Sequence, residues 1–125
     1  DTLIPIMYTV GVREGQISMN QLVRLCATNP ARLMGLGHRK GDLAPGFDAD
    51  IAIIDPARTV TVVPQGRDTS ATLQSRCDWS PYDGWQLGGF AHTTLVRGVR
   101  VVDDHRIVGP RGHGKFIERH GVARL

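Results

Sequence analysis

Two aspartates, Asp48 and Asp50, form a D-x-D within GDLAPGFDADIAIIDP, residues 41–56. With Asp42 and Asp55 they make four carboxylates in sixteen residues, so divalent-cation binding is the first chemistry to weigh. In an extended segment residues two apart face the same way, and both carboxylates could reach one ion. Such an ion wants further oxygen or nitrogen ligands, and no others stand close in sequence. Asp55 lies beyond the apolar run that follows Asp50, roughly 17 Å away if that run is extended. Asp42 lies on the far side of Pro45-Gly46, and the EF-hand arrangement of glycine and terminal glutamate is absent. The favoured reading is structural: Asp48 caps the turn after Ala44-Pro45-Gly46, and Asp50 fixes the start of a strand.

The histidines give no stronger lead. His38, His92, His105, His113 and His120 are scattered, with no H-x-H and no H-E-x-x-H. A catalytic zinc needs about three protein ligands and an open position. His113 and His120, around the glycine-rich GPRGHGKF, could meet in space without any spacing to support it. No G-x-S-x-G nucleophile elbow is present. Cys77 sits between Arg76 and Asp78, and an arginine can lower a thiol pKa, but no histidine is near it in sequence. Cys26 lies in an apolar helical pattern and reads as a small core residue. GPRGHG lacks the strand–loop–helix setting and the G-K-[ST] of a phosphate loop. WSPYDGW, residues 79–85, places three aromatics in one loop, which read as packing anchors because rings bury so much area. No catalytic, cofactor-binding or metal-binding residue is therefore assigned to this chain.

The elements that would position these groups follow from periodicity. Residues 2–15 read as a helix capped by Thr2, with Leu3, Ile6, Met7 and Val10 on one face. In ISMNQLVRLCATNP, Ser18 and Gln21 make a capping-box pattern. Met19, Leu22, Val23 and Cys26 then form an amphipathic stripe that needs a partner surface. Pro30 disfavours helical geometry at Asn29 and can open a short helix, PARLMG, ended by Gly35. After Gly35 the period changes to that of strands: DADIAIIDP, TVTVV, then HTTLVRGVRVVDDHRIVG with breaks at Gly98 and at Asp103-Asp104-His105. Residues 64–90 read as a long loop rich in glycine and proline, which should wrap over a surface this chain does not supply. Helices first and a β-meander after imply an α+β unit.

Composition bounds the rest. The 125 residues suffice for roughly one domain, and 41% hydrophobic with 22% charged is ordinary for a globular protein. Fifteen Lys+Arg against twelve Asp+Glu are interspersed, without a block of like charge, so no nucleic-acid partner is expected. No run approaches the ~18 apolar residues of a membrane span, and no signal peptide is evident. Two distant cysteines give neither a zinc spacing nor a disulfide framework, which fits a reducing cytoplasm. The chain opens on Asp1 and runs at once into an apolar segment, so a piece of a longer protein is expected.

In order, VREGQISMNQLVRLCATNPARLMGL, RKGDLAPGFDADIAIIDP, WSPYDGW and TTLVRGVRVVDDHRIVGPRGHGKFI resemble the closing part of a cyclic amidohydrolase, over about residues 1–119. The likeness is to dihydropyrimidinase and hydantoinase, with dihydroorotase and allantoinase as relatives. The tail VGPRGHGKF favours the hydantoinase side. DTSATLQSRCD lacks the histidine usual there, and SPYDGW is as much like dihydroorotase or allantoinase. The resemblance implies an α+β fragment: the last helices of a (β/α)₈ barrel over 1–36, strands and aromatic loop of the small composite β-domain over 37–110, and a tail over 111–125. It implies a parent enzyme that opens a cyclic amide with one or two zinc ions, which activate water and polarise the ring carbonyl. The implied ligands, an H-x-H among them, would lie upstream of Asp1, and none is carried onto this chain. Asp1 itself is not matched to the metal aspartate. The partners implied are the remainder of the barrel, the cyclic amide substrate and further copies in a homo-oligomer. A free-standing interaction module, pairing its strand edges with a partner, is the alternative from another class.

Overall fold

The computed structural model describes residues 2–64, 72–75 and 77–119. Asp1, Arg76, His120 and part of DTSATLQSRCD lie outside the described residues. The chain forms two compact units, each assembled from two separate stretches: residues 1–17 with 54–90, and 18–53 with 91–125.

The first unit begins with α1 (Leu3–Ile6), which runs on as a π-helical stretch over Met7–Arg13. Thr2 does not cap it with its hydroxyl; its carbonyl accepts from Ile6 N–H at 2.9 Å instead. The buried face is also not the expected one. Pro5 and Tyr8 are buried, whereas Leu3 and Val10 are exposed. The π-helical turn alters the angular spacing of successive side chains, so a 3.6-residue projection no longer identifies the inner face.

The strand expected over TVTVV is shorter, β2 (Thr59–Thr61), and Val62 beyond it enters the core. It pairs antiparallel with β3 (Gln86–Gly88), in the register Thr59 with Gly88 and Thr61 with Gln86. That strand lies inside the segment read as a loop. The same segment supplies Leu73, Leu87 and Tyr82: Val62, Leu73 and Leu87 form the core, with Ile6, Tyr82 and Phe90 packed against it. Leu73, Tyr82, Leu87 and Phe90 thus join Val62 and Ile6 in a core that the chain supplies itself. Three residues, one of them glycine, are too few to show strand alternation in sequence. Gly88 N–H donates to Thr9 Oγ1 at 2.9 Å and fastens β3 to the helical stretch.

In the second unit the Ser18 capping box forms as expected. Gln21 N–H donates to Ser18 Oγ at 3.2 Å, and Ser18 N–H donates to Gln21 Oε1 at 2.8 Å. The helix runs through α2 (Met19–Val23), a π-helical stretch over Arg24–Thr28, and α3 (Asn29–Leu33). Pro30 therefore does not end it: Asn29 keeps helical angles, φ −66° and ψ −46°, and its N–H donates to the Arg24 carbonyl five residues back. The π turn shifts the hydrogen-bond frame just before the proline, where the ring would otherwise crowd the carbonyl four residues earlier. Leu22 is buried, while Met19 and Val23 are exposed. Cys26 is half-buried rather than a core residue.

The meander matches its sequence pattern. A four-stranded sheet has the order β1-β4-β5-β6, with β1 (Ile51–Ile54), β4 (Ala91–Val96), β5 (Val99–Asp103) and β6 (Arg106–Ile107). Strands β4, β5 and β6 pair antiparallel through two-residue loops, Arg97-Gly98 and Asp104-His105. All four loop residues have positive φ, which suits the right-handed twist of the hairpins.

Candidate functional site

Asp48 and Asp50 sit in the second unit, where the loop after α3 meets the β4–β5 turn. Arg39 grips Asp48 with two hydrogen bonds, Nε to Oδ2 and Nη2 to Oδ1, each 3.0 Å. Lys40 Nζ lies 2.8 Å from Asp48 Oδ2 and also pairs with Asp50 Oδ2. The Arg97 N–H donates to Asp50 Oδ1 at 2.7 Å, and Gly98 N–H donates to the Ala49 carbonyl at 2.9 Å. Every carboxylate oxygen of the D-x-D thus already accepts a hydrogen bond, and two side-chain cations neutralise the pair. A divalent ion would have to displace Lys40 and Arg39. Asp50 holds the strand start, through the Arg97 N–H and Lys40, whereas the Asp48 carboxylate does not cap the turn after Pro45-Gly46 as expected and is bound by Arg39 and Lys40 instead. The signal available in sequence was the dipeptide Arg39-Lys40 ahead of the aspartates; its proximity depends on the loop folding back.

The electrostatics follow from these contacts. The Lys40 hydrogen bond leads in holding the Asp48 carboxyl below the usual carboxylate range, against opposing desolvation, and Arg39 adds to it. Burial pushes Asp50 upward, but hydrogen bonds from Lys40 and the Arg97 N–H outweigh it, so its pKa is also lowered. For Lys40, burial pulls downward, and the hydrogen bonds to Asp48 and Asp50 prevail and raise the pKa. Because the carboxylates titrate lower when folded than unfolded, their stabilisation is complete above about pH 4 and fades as pH falls through the depressed values. Lys40 acts in the opposite sense: its contribution is complete below about pH 10 and fades as pH rises through the raised value. The Asp50→Asn variant is expected to lose less stability than the parent between pH 7 and pH 3. Urea unfolding at both values checks this, and equal losses would refute it.

Among the described residues the histidines do not converge on a hydrolytic centre. His92 and His105 stack edge to face with centroids 5.5 Å apart, and His92 Nε2 is 3.9 Å from Asp104 Oδ1. His105 Nε2 is buried without a hydrogen-bond partner. His113 binds the β4–β5 turn instead, its Nε2 lying 3.0 Å from the Val96 carbonyl. His38 lies in the turn after α3. Among the described residues no three His, Cys, Asp or Glu come together as metal ligands would. Cys77 is exposed, and burial pushes the Cys26 thiol upward, away from the reactive thiolate. Tyr82 packs edge-on against Trp85, with centroids 5.5 Å apart. It anchors the aromatic loop to the core, whereas Trp79 and Trp85 are exposed.

Two open grooves line the helix of the second unit. One, of about 410 Å³, is formed by Ser18, Asn20, Gln21, Val23 and Arg24; the other, of about 510 Å³, by Arg24, Thr28, Asn29, Arg32 and Asp42. Neither contains a histidine, a cysteine or a pair of carboxylates, so neither offers a nucleophile with a base. Among the described residues no helix is long and apolar enough to cross a membrane.

The amidohydrolase family model matches residues 6–102. The D-hydantoinase of Ralstonia pickettii is 37% identical over 114 residues, which is 91% of this chain and 24% of that enzyme. The D-hydantoinase of Geobacillus stearothermophilus is 34% identical over 116 residues, 93% of this chain and 23% of that enzyme. Among solved structures, dihydropyrimidinase from Brevibacillus agri superposes with a TM-score of 0.88 at 35% identity, covering 98% of this chain and 25% of that one. The L-hydantoinase of Arthrobacter aurescens superposes at 0.82 with 33% identity, covering 93% and 24%. The chain spans about a quarter of the length of the relatives it matches. By family model, sequence identity and backbone superposition alike, it belongs to the amidohydrolase family, as a segment homologous to the dihydropyrimidinases and hydantoinases.

Proposed function

We propose that this chain is the C-terminal segment of a metal-dependent hydrolase that opens a dihydropyrimidine or hydantoin ring at a C–N bond, and that the segment is scaffold to that reaction. The observation that carries the reading is the likeness to D-hydantoinases along 91% of the chain. Residues 1–36 close the barrel, 37–110 add strands to the small β-domain, and 111–125 form the tail. Each unit exposes apolar residues on which the remainder of the barrel packs, Leu3 and Val10 in the first and Met19 and Val23 in the second. The parent enzyme is a cytoplasmic homo-oligomer. Its one or two zinc ions are held elsewhere in the polypeptide, since the described residues do not fit a metal: no three candidate ligands meet, and Asp48 and Asp50 are bound to Arg39, Lys40 and the Arg97 N–H. The segment's own contribution is to hold the loop after α3, the β4–β5 turn and the tail in one geometry.

The test is to express the longest reading frame that contains this sequence and assay ring opening on dihydrouracil, hydantoin, dihydroorotate and allantoin. Turnover of either of the first two, lost on chelation and restored by zinc, is expected. Turnover confined to dihydroorotate or allantoin would assign the segment to those enzymes, and none at all would refute the reading. The 125-residue chain alone is expected to show no metal-dependent turnover of these rings. The Asp48→Asn and Asp50→Asn enzymes should retain the parent's full metal content by elemental analysis. Loss of a stoichiometric metal from either would place the D-x-D in the metal site.

A further inference from the structure

The tail leaves the sheet at a fixed point. The N–H groups of Val108 and Gly109 both donate to the Val101 carbonyl, at 2.9 and 3.1 Å. A Cβ on Gly109 would meet Val101 at 2.8 Å, so the backbone lies directly against β5 there. Beyond this point, among the described residues from Pro110 to Arg119, only His113 makes hydrogen bonds. Its Nε2 lies 3.0 Å from the Val96 carbonyl, and its own carbonyl accepts from Arg97 Nη2. Arg97 Nη2 also lies 3.3 Å from His113 Nε2, so the imidazole meets both the Val96 carbonyl and the Arg97 guanidinium of the turn. Gly112 and Gly114, on either side, have open space around them, and Gly112 adopts φ +74°. The described part of the tail, residues 110–119, is thus fastened by one residue between two swivels.

The fastening point is itself held from elsewhere. Arg97 is the first residue of a tight turn and has φ 48°, a conformation that side-chain-bearing residues seldom adopt. Its N–H is secured by Asp50, which is secured in turn by Lys40. The Lys40–Asp50–Arg97–His113 chain of contacts therefore runs from the loop after α3, through the turn, to the tail.

We propose that residues 110–119 form a strap latched by His113 on the β4–β5 turn, and that Asp50 sets the latch by fixing Arg97 without touching the strap. Releasing His113 frees Lys115 and the exposed Phe116 to swing from Gly109 while β4, β5 and β6 stay paired. The strap is a conformational device of this unit, independent of which ring the parent enzyme opens.

Trypsin reports the open fraction directly, because Arg111 and Lys115 flank the latch and cleavage follows the population of the open form. The experiment is limited proteolysis of the polypeptide carrying this sequence, with cuts after Arg111, Lys115 and Arg100 in β5 followed by mass spectrometry. His113→Ala and Asp50→Ala are expected to speed cleavage after Arg111 and Lys115 about tenfold or more, with cleavage after Arg100 unchanged. Asp48→Asn, which disturbs the ion pairs but not the Asp50 contact with Arg97, should leave tail cleavage at the parent rate. Arg97→Gly, which suits the positive φ and removes the guanidinium, should give a smaller rise and decides the matter if an alanine variant does not fold. Tail cleavage unchanged in His113→Ala and Arg97→Gly would overturn the latch. Tail cleavage unchanged in a folded Asp50→Ala, or raised equally by Asp48→Asn, would overturn the role of Asp50.

Discussion

Gly41→Ala is expected to destabilise the protein by about 2–5 kcal/mol. Two costs add. Gly41 has φ +84°, where a Cβ crowds the backbone and costs roughly 1–2 kcal/mol. The new methyl would also lie 2.7 Å from Ala31 Cβ, 2.8 Å from the Ala27 carbonyl and 3.1 Å from Thr28 Cα. These are helix backbone and short side chains that cannot swing aside, and such overpacking costs about 1–3 kcal/mol. The contact is reinforced by Thr28 Oγ1, which donates to the Gly41 carbonyl at 3.0 Å, so a retreating loop would lose that bond as well. Gly46→Ala is the control: its φ is +92° but nothing stands within 4 Å, so only the conformational cost applies. Urea unfolding of the two variants separates the contributions. Equal midpoints would show that the helix accommodates the methyl at Gly41.

Leu87→Ala is expected to cost about 2–5 kcal/mol. Leu87 is 1% exposed and meets Val62, at 0%, and Leu73, at 6%, in the core of the first unit. Removing most of its side chain loses the transfer free energy and leaves a cavity beside Val62 and Leu73. The volume-conserving Leu87→Met should cost less than about 1.5 kcal/mol. Thermal or urea denaturation of the polypeptide carrying this sequence provides the measurement. A Leu87→Ala loss no greater than that of Leu87→Met would mean that the cluster is not the core of this unit. The prediction bears on architecture too, because two of the three core residues, Leu73 and Leu87, come from the segment that its glycine and proline content marks as loop.

What was legible in sequence was legible for local reasons. The Ser18–Gln21 capping box closes within one turn, so two residue types at one spacing predict it. The β4–β5–β6 meander depends on alternation and on two-residue turns, and Arg97-Gly98 and Asp104-His105 fall between apolar runs where such turns belong. The structural reading of Asp48 and Asp50 came from a missing ligand set, and the ion pairs supply its positive cause. Pro30 was misread because its local preference was outweighed: a π turn before it lets the helix continue through Asn29. Strand β3 was missed because three residues carry no period, and Tyr8 was missed as a core residue because the π-helical stretch rotates the inner face.

The sequence alone therefore determined the helices, the meander, the absence of a recognisable catalytic motif and the family resemblance, all of which depend on residue types at short or fixed spacings. Only the tertiary structure decided which pieces belong together. It joined β3 to the first helical stretch through Gly88 and Thr9, 79 residues apart. It brought Asp50 to Arg97 across 47 residues and His113 back onto the same turn. The physical reason is that such contacts are stabilised by burial and hydrogen bonding between segments whose encounter no local propensity encodes; the chain must close long loops before those gains appear.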